Sequence, residues 1–291
     1  MSDQTTKRCR PNRDPRSIVG SGRDIAILES LAWAGVLGTS QVRRLHFPSR
    51  RTAERRLRAL LDHGLVRSRL QGETLQRDNL HALTARGAEL LVELRGLDPA
   101  SVCLARFPRS AKLRHALAVR DVFVAFALAE RAGHVELTDF RFEEDLAAEA
   151  PFAAARVIPD ALAIVSGHGR RTPFAIEVDR GTETTTTLSR KFASYRSLLA
   201  GPDGRDAQLT MLAVLGERAA RLRTVARLLE EHGLRERAAV LLLDELPDWI
   251  ASGCTHGLFA APVRAVRTAE AAEHAGFEPF AAPDAAAFRA L

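Results

Sequence analysis

Three helix-length apolar patterns followed by a short two-strand pattern leave the N-terminal third of this chain very few folds. From Asp24, Ile25, Leu28, Leu31 and Ala32 recur at helical spacing until Gly35 ends the stretch, which predicts a first helix. Thr39 stands where it would cap a short second helix holding Val42 and Leu45. After the turn His46-Phe47-Pro48-Ser49, Ser49 supplies an N-cap for a third helix running to about His63, because a serine hydroxyl accepts from an unpaired first-turn N–H. Leu65 to Leu70 and Asn79 to Leu83, separated by a polar turn, read as a hairpin, and Thr84 caps a fourth helix from Ala85 to about Leu94. Three helices and then a hairpin is the order of a winged helix-turn-helix.

Within the third helix Ala53, Leu57, Leu60 and Leu61 form one apolar stripe, so Arg51, Glu54, Arg55, Arg58 and Asp62 occupy the opposite face. A recognition helix of this motif sets its N-terminal residues on base edges in the major groove, while flanking groups hold phosphates. Arg50, Arg51, Arg55 and Arg58 are the candidate DNA-binding residues on that helix, Arg43 and Arg44 on the helix before it, and Arg67 and Arg69 on the wing. The net charge of +6 favours a polyanionic partner, nucleic acid or an anionic membrane surface. Lysines occur only at Lys7, Lys112 and Lys191, so arginine is the default base here and its clustering informs more than its abundance.

The chain of 291 residues is long enough for two domains, and 46% hydrophobic residues provide a core for each. The reading along the chain is a flexible basic arm at 1–20, a winged helix-turn-helix at 21–96, a linker and connecting helix at 97–134, an α/β domain at 135–262 and an Ala-rich tail at 263–291. The connecting helix spans Ala111 to Arg131. Strands are expected near 135–142, 156–165, 173–179, 208–215 and 237–243, with helices near 186–200 and 218–232. Alternating strands and helices of this kind build a mixed sheet, so the fold class is α/β, or α+β, with two dissimilar halves.

The second half carries the chemistry. Val157-Ile158-Pro159-Asp160 leads into one strand, Ile176-Glu177-Val178-Asp179-Arg180-Gly181-Thr182 ends the next, and Lys191 and Tyr195 follow on a helix. Side chains alternate along a strand, so Glu177 and Asp179 share a face while Phe174, Ile176 and Val178 point into the core on the other. If Asp160 joined them from the neighbouring strand, three carboxylates would suit Mg²⁺, a hard cation that takes oxygen ligands and can activate water at a phosphodiester. The bland reading is that these carboxylates form ion pairs with Arg180 or Lys191 and staple strand to helix. Tyr195 lies one turn beyond Lys191, and a packed, hydrogen-bonded tyrosine is the expectation there rather than a nucleophile.

With the Pro-Asp, Glu-x-Asp-Arg-Gly-Thr and Lys-x-x-x-Tyr elements, and Leu80-His81-Ala82-Leu83-Thr84-Ala85-Arg86-Gly87 before them, the chain resembles the replication-relaxation family over roughly residues 22 to 245. That resemblance implies a winged helix coupled to a restriction-endonuclease-like domain of the PD-(D/E)XK type. By motif position it assigns metal binding to Asp160 and Glu177, and catalysis to Asp160, Glu177, Asp179 and Lys191. The sequence departs from a nuclease of this fold at Asp179, where lysine is usual, and Lys191 would supply that charge from a shifted position.

The function expected is that of a DNA-binding protein of a plasmid or mobile element, acting in replication or mobilisation. The alternatives are a Mg²⁺-dependent nuclease and a transcriptional regulator whose nuclease-like domain is an inactive interaction platform. The partners expected are double-stranded DNA and other replication or mobilisation proteins, with a homodimer as one assembly. No apolar run approaches the roughly 18 residues of a membrane span, and the first twenty residues lack a signal-peptide core, so a cytoplasmic protein without a membrane partner is expected. Cys9, Cys103 and Cys254 are odd in number and widely spaced, which fits reduced thiols and gives no zinc spacing.

Overall fold

The computed structural model describes residues 16, 18–19, 22–69, 78–99, 102, 104, 107–147, 152, 156–167, 170–200, 211–216 and 218–252. The three cysteines, the tip of the hairpin, His168 and the Ala-rich tail lie outside the described residues. Two compact units divide within one helix, between Val124 and Ala125.

The first unit follows the order α1 (Gly22–Ala34), β1 (Leu37–Gly38), α2 (Thr39–His46), α3 (Arg50–Asp62), β2 (Val66–Arg69), β3 (Leu80–Leu83), α4 (Ala85–Arg95) and the first part of α5 (Ser110–Arg131). Ile27, Leu28, Leu31, Val42, Leu45, Leu57, Leu60 and Leu91 are buried, and each such side chain contributes about 1.5–3 kcal/mol by leaving water. The two hairpin strands pair antiparallel, with Val66 opposite Leu83 and Arg69 opposite Leu80. The short β1, which the sequence reading lacked, adds to the other edge of β3 through Leu37 opposite His81.

Local signals set these boundaries. The Ser49 hydroxyl accepts from the Thr52 N–H at 3.3 Å, and the Thr84 hydroxyl accepts from the Gly87 N–H at 3.0 Å, so both expected caps are present. Thr39 is not a cap: it is the first helical residue of α2, and the capping position falls on Gly38. Gly87 lets α4 approach the hairpin, because a Cβ there would stand 2.1 Å from the Leu65 carbonyl oxygen. The N-terminal segment is tied down where it is described, with Ile18 buried and its carbonyl accepting from Arg56 at 2.6 Å.

The second unit is a five-stranded mixed sheet in the order β4-β5-β6-β7-β8. Its strands are β4 (Glu136–Phe142), β5 (Ala161–Gly167), β6 (Arg170–Asp179), β7 (Met211–Gly216) and β8 (Ala238–Leu242). Pairing is antiparallel from β4 to β6 and parallel from β6 to β8. The parallel pairs need crossovers, supplied by α7 (Thr185–Ala200) and α8 (Ala219–Glu231). Short helices α6 (Glu143–Leu146) and α9 (Leu246–Ala251) complete the unit.

Leu162, Ile164 and Ala175 on one sheet face join Leu188, Phe192, Tyr195 and Leu198 of α7 and Val225 and Leu228 of α8 in one core. On the other face Phe174 meets Trp249 of α9 edge-on at 5.4 Å, and Phe140 meets Phe126 of α5 at 6.1 Å. The mixed α/β class read from the sequence is the one observed. β5 begins at Ala161 rather than near 156, and the Asp160 carbonyl just before it accepts from the Glu143 N–H at 3.1 Å.

Candidate functional site

In the first unit, α3 buries Ala53, Leu57 and Leu60, and the helical period then turns Arg51, Arg55 and Arg58 outward along one line. All three are exposed, and none forms an ion pair with another described residue. Arg56, on the flank, is held inward by the buried Asp24 carboxylate. Arg50 at the helix start donates to Glu54 at 2.7 Å and stands 3.7 Å from Asp78.

The remaining arginines expected at this interface are less exposed. Arg44 donates to Asp121 at 2.9 Å, and burial pushes the Asp121 carboxyl up while Gln41 and Arg44 pull it back. Arg43 is half-buried beside it in sequence. Arg67 and Arg69 stack over the Phe107 ring at 4.9 and 5.1 Å, and Arg69 also donates to the Pro108 carbonyl at 2.6 Å. Of the arginines expected at this interface, the exposed ones therefore lie on α3 rather than being spread evenly over α2, α3 and the hairpin.

In the second unit, extending the β5–β6 register by one residue sets Asp160 opposite Glu177. Both are buried, and the Asp160 carboxylate accepts from the Val178 N–H at 2.7 Å. The Lys191 ammonium donates to one Glu177 oxygen and the Tyr195 hydroxyl to the other. Lys191 and Tyr195 are i and i+4 on α7, which sets both donors on the same helix face. Burial pushes the Glu177 carboxyl upward, with Lys191 opposing the shift and Asp160 adding to it. Burial likewise drives the Tyr195 phenol well above its ordinary range, so it stays protonated as a donor and is packed, as expected for a non-nucleophilic tyrosine.

Asp179 does not join this group. It accepts from Arg221 of α8 at 2.6 Å and from the Gly181 N–H at 2.8 Å. Arg221 also donates to the Glu183 carbonyl at 2.7 Å, so it ties the end of β6 to the turn that enters α7. The sequence reading missed Arg221, whose partner lies 42 residues away across a crossover. Among the described residues no group of three or more His, Cys, Asp or Glu side chains is arranged to hold a metal ion. The three-carboxylate arrangement is thus corrected to a pair, Asp160 and Glu177, with Asp179 neutralised separately.

That pair is a poor fit to a divalent cation. Mg²⁺ needs free carboxylate oxygens in near-octahedral geometry, whereas both Glu177 oxygens already accept from α7 and one Asp160 oxygen accepts from the backbone. An ammonium on Glu177 supplies the counter-charge that a cation would otherwise bring.

Among the described residues no helix is long and apolar enough to cross a membrane. A family model described as Replication-relaxation matches residues 28–211. Among solved structures, the chain is similar to restriction endonuclease FokI at 15% identity and TM-score 0.32, and to FokI bound to DNA at 12% identity and TM-score 0.30. Each comparison covers 79% of this chain and 44% of the other, so the chain spans less than half the length of these structures. No curated protein matches the chain.

Proposed function

Since the chain belongs to the replication-relaxation family, we propose that it is a double-stranded-DNA-binding factor of a plasmid or other mobile element, acting in replication or mobilisation. In this reading α3 enters the major groove, the hairpin serves as a wing, and the mixed-sheet unit is a scaffold rather than a nuclease. The observation that carries it is the line of Arg51, Arg55 and Arg58, exposed on a helix whose opposite face is core. Three cations at i, i+4 and i+7 repel one another in the free protein, and a phosphate backbone or base edges relieve that repulsion.

A second reading, Mg²⁺-dependent phosphodiester cleavage with Asp160, Glu177 and Lys191 catalytic, is favoured by the juxtaposition of those three side chains. It is opposed by the engagement of both Glu177 oxygens. The two readings part in one experiment. The protein is incubated with supercoiled plasmid and short duplexes in Mg²⁺ or Mn²⁺, beside Asp160→Ala and Glu177→Ala variants, and both binding and nicking are scored. Salt-sensitive binding without scission is the expected result. Scission lost in both variants would establish the nuclease instead, and absence of binding by the wild type would overturn both readings.

A further inference from the structure

Helix α2 begins with a deficit. Its capping residue, Gly38, has no side chain to satisfy the first-turn N–H groups, which every helix leaves unpaired. The missing acceptors come from the hairpin. The Asp78 carboxylate accepts the Ser40 N–H through both oxygens, at 3.1 and 3.0 Å, and also the Ser40 hydroxyl. The Thr39 N–H donates to the Asn79 carbonyl at 2.9 Å, and Gln41 accepts from the Gly38 N–H at 2.9 Å. Ser40 is the second residue of α2, the N–H that an ordinary capping side chain would take. Gly38 is required for this: a Cβ there would lie 2.5 Å from an Asp78 oxygen.

The same carboxylate faces α3, 3.7 Å from the Arg50 guanidinium, and its side chain is only 14% exposed. One acidic group thus touches the hairpin, the start of α2 and the start of α3. A carboxylate at a helix N-terminus also meets the positive end of the helix dipole. We propose that Asp78 is a positioning residue for DNA recognition: it caps α2 from the hairpin and, through Arg50, fixes the first turn of α3 relative to the wing. The proposal rests on the DNA-binding reading above and assigns Arg50 to this linkage rather than to phosphate contact.

Electrostatics and positioning give opposite expectations for removing Asp78. Loss of a negative charge beside a DNA-binding surface tightens binding to any duplex. Loss of a positioning group lowers the preference for a particular one. The test uses Asp78→Ala, Asp78→Asn and the wild type with two probes: the duplex that the wild type enriches from a random-sequence pool, and a scrambled duplex of the same composition. Asp78→Ala is expected to lower the affinity ratio between them by about fivefold, the scale of one cap interaction, with the scrambled duplex bound as tightly as before or more so. Asp78→Asn keeps an acceptor for Ser40 and is expected to restore part of the ratio. An unchanged ratio, with both affinities rising together, overturns the proposal.

Amide exchange without DNA separates this proposal from the reading beneath it. Asp78→Ala is expected to speed exchange in the first turns of both α2 and α3, and acceleration confined to α2 would overturn the linkage even if the wild type bound no DNA. Asp78→Asn provides the same comparison should the alanine variant not fold.

Discussion

His81 is buried, yet both ring nitrogens are satisfied, by the Thr39 hydroxyl at 2.9 Å and the Ser68 hydroxyl at 2.8 Å. Burial lowers its pKa from 6.5 to about 4, so the neutral ring bridges α2 and the hairpin. With the folded pKa depressed, the unfolded chain takes up the proton first as pH falls. Stability is therefore full above pH 6.5 and declines between 6.5 and about 4, by at most about 3 kcal/mol. Urea unfolding across that range should show the decline in the wild type and less of it in His81→Gln; equal slopes would remove His81 as the cause. Lys191→Met should cost about 3 kcal/mol by leaving the buried Glu177 carboxyl without its ammonium, and Glu177→Gln in the same chain should recover part of that. A double variant as unstable as the single one would mean that Lys191 stabilises by some other contact. Neither His81 nor Asp78 was legible as a linkage in the sequence, since Thr39 and Ser40 lie 42 and 38 residues from them. The carboxylate pair was legible, because Asp160 and Glu177 stand at adjoining ends of neighbouring strands. The destination of Asp179 was not, since that depends on where α8 lands.

At the scale of elements, α3 is the best case of a sequence specifying its own geometry. Its cap, its buried stripe and its arginine line all follow from residues within one helix and the turn before it. Ser49→Ala removes the hydroxyl that accepts from Thr52 and should cost about 1 kcal/mol, read as a lower denaturant midpoint at unchanged slope. No change in midpoint would show that solvent caps the helix as well as Ser49 does. The five strands and two crossover helices of the second unit were also readable, because their apolar runs are bounded by polar segments, whereas the short helices α6 and α9 were not expected. β1 escaped notice because two residues carry no period, and the capping position of α2 was misread because its acceptor sits on another strand.

For the whole molecule, the two units draw on different physics. The first exposes unpaired positive charge on α3, whereas the second neutralises its buried carboxylates internally, Glu177 with Lys191 and Asp179 with Arg221. The most direct measurement is duplex affinity as a function of salt for the wild type and for Arg51→Ala/Arg55→Ala. If three to five arginines reach phosphates, the wild-type log-log slope should be about −3 to −4.5, and the double variant should be shallower by about 2 with an unchanged fold by circular dichroism. A double variant that binds with wild-type affinity and slope would contradict the assignment of α3 as the DNA-contacting helix.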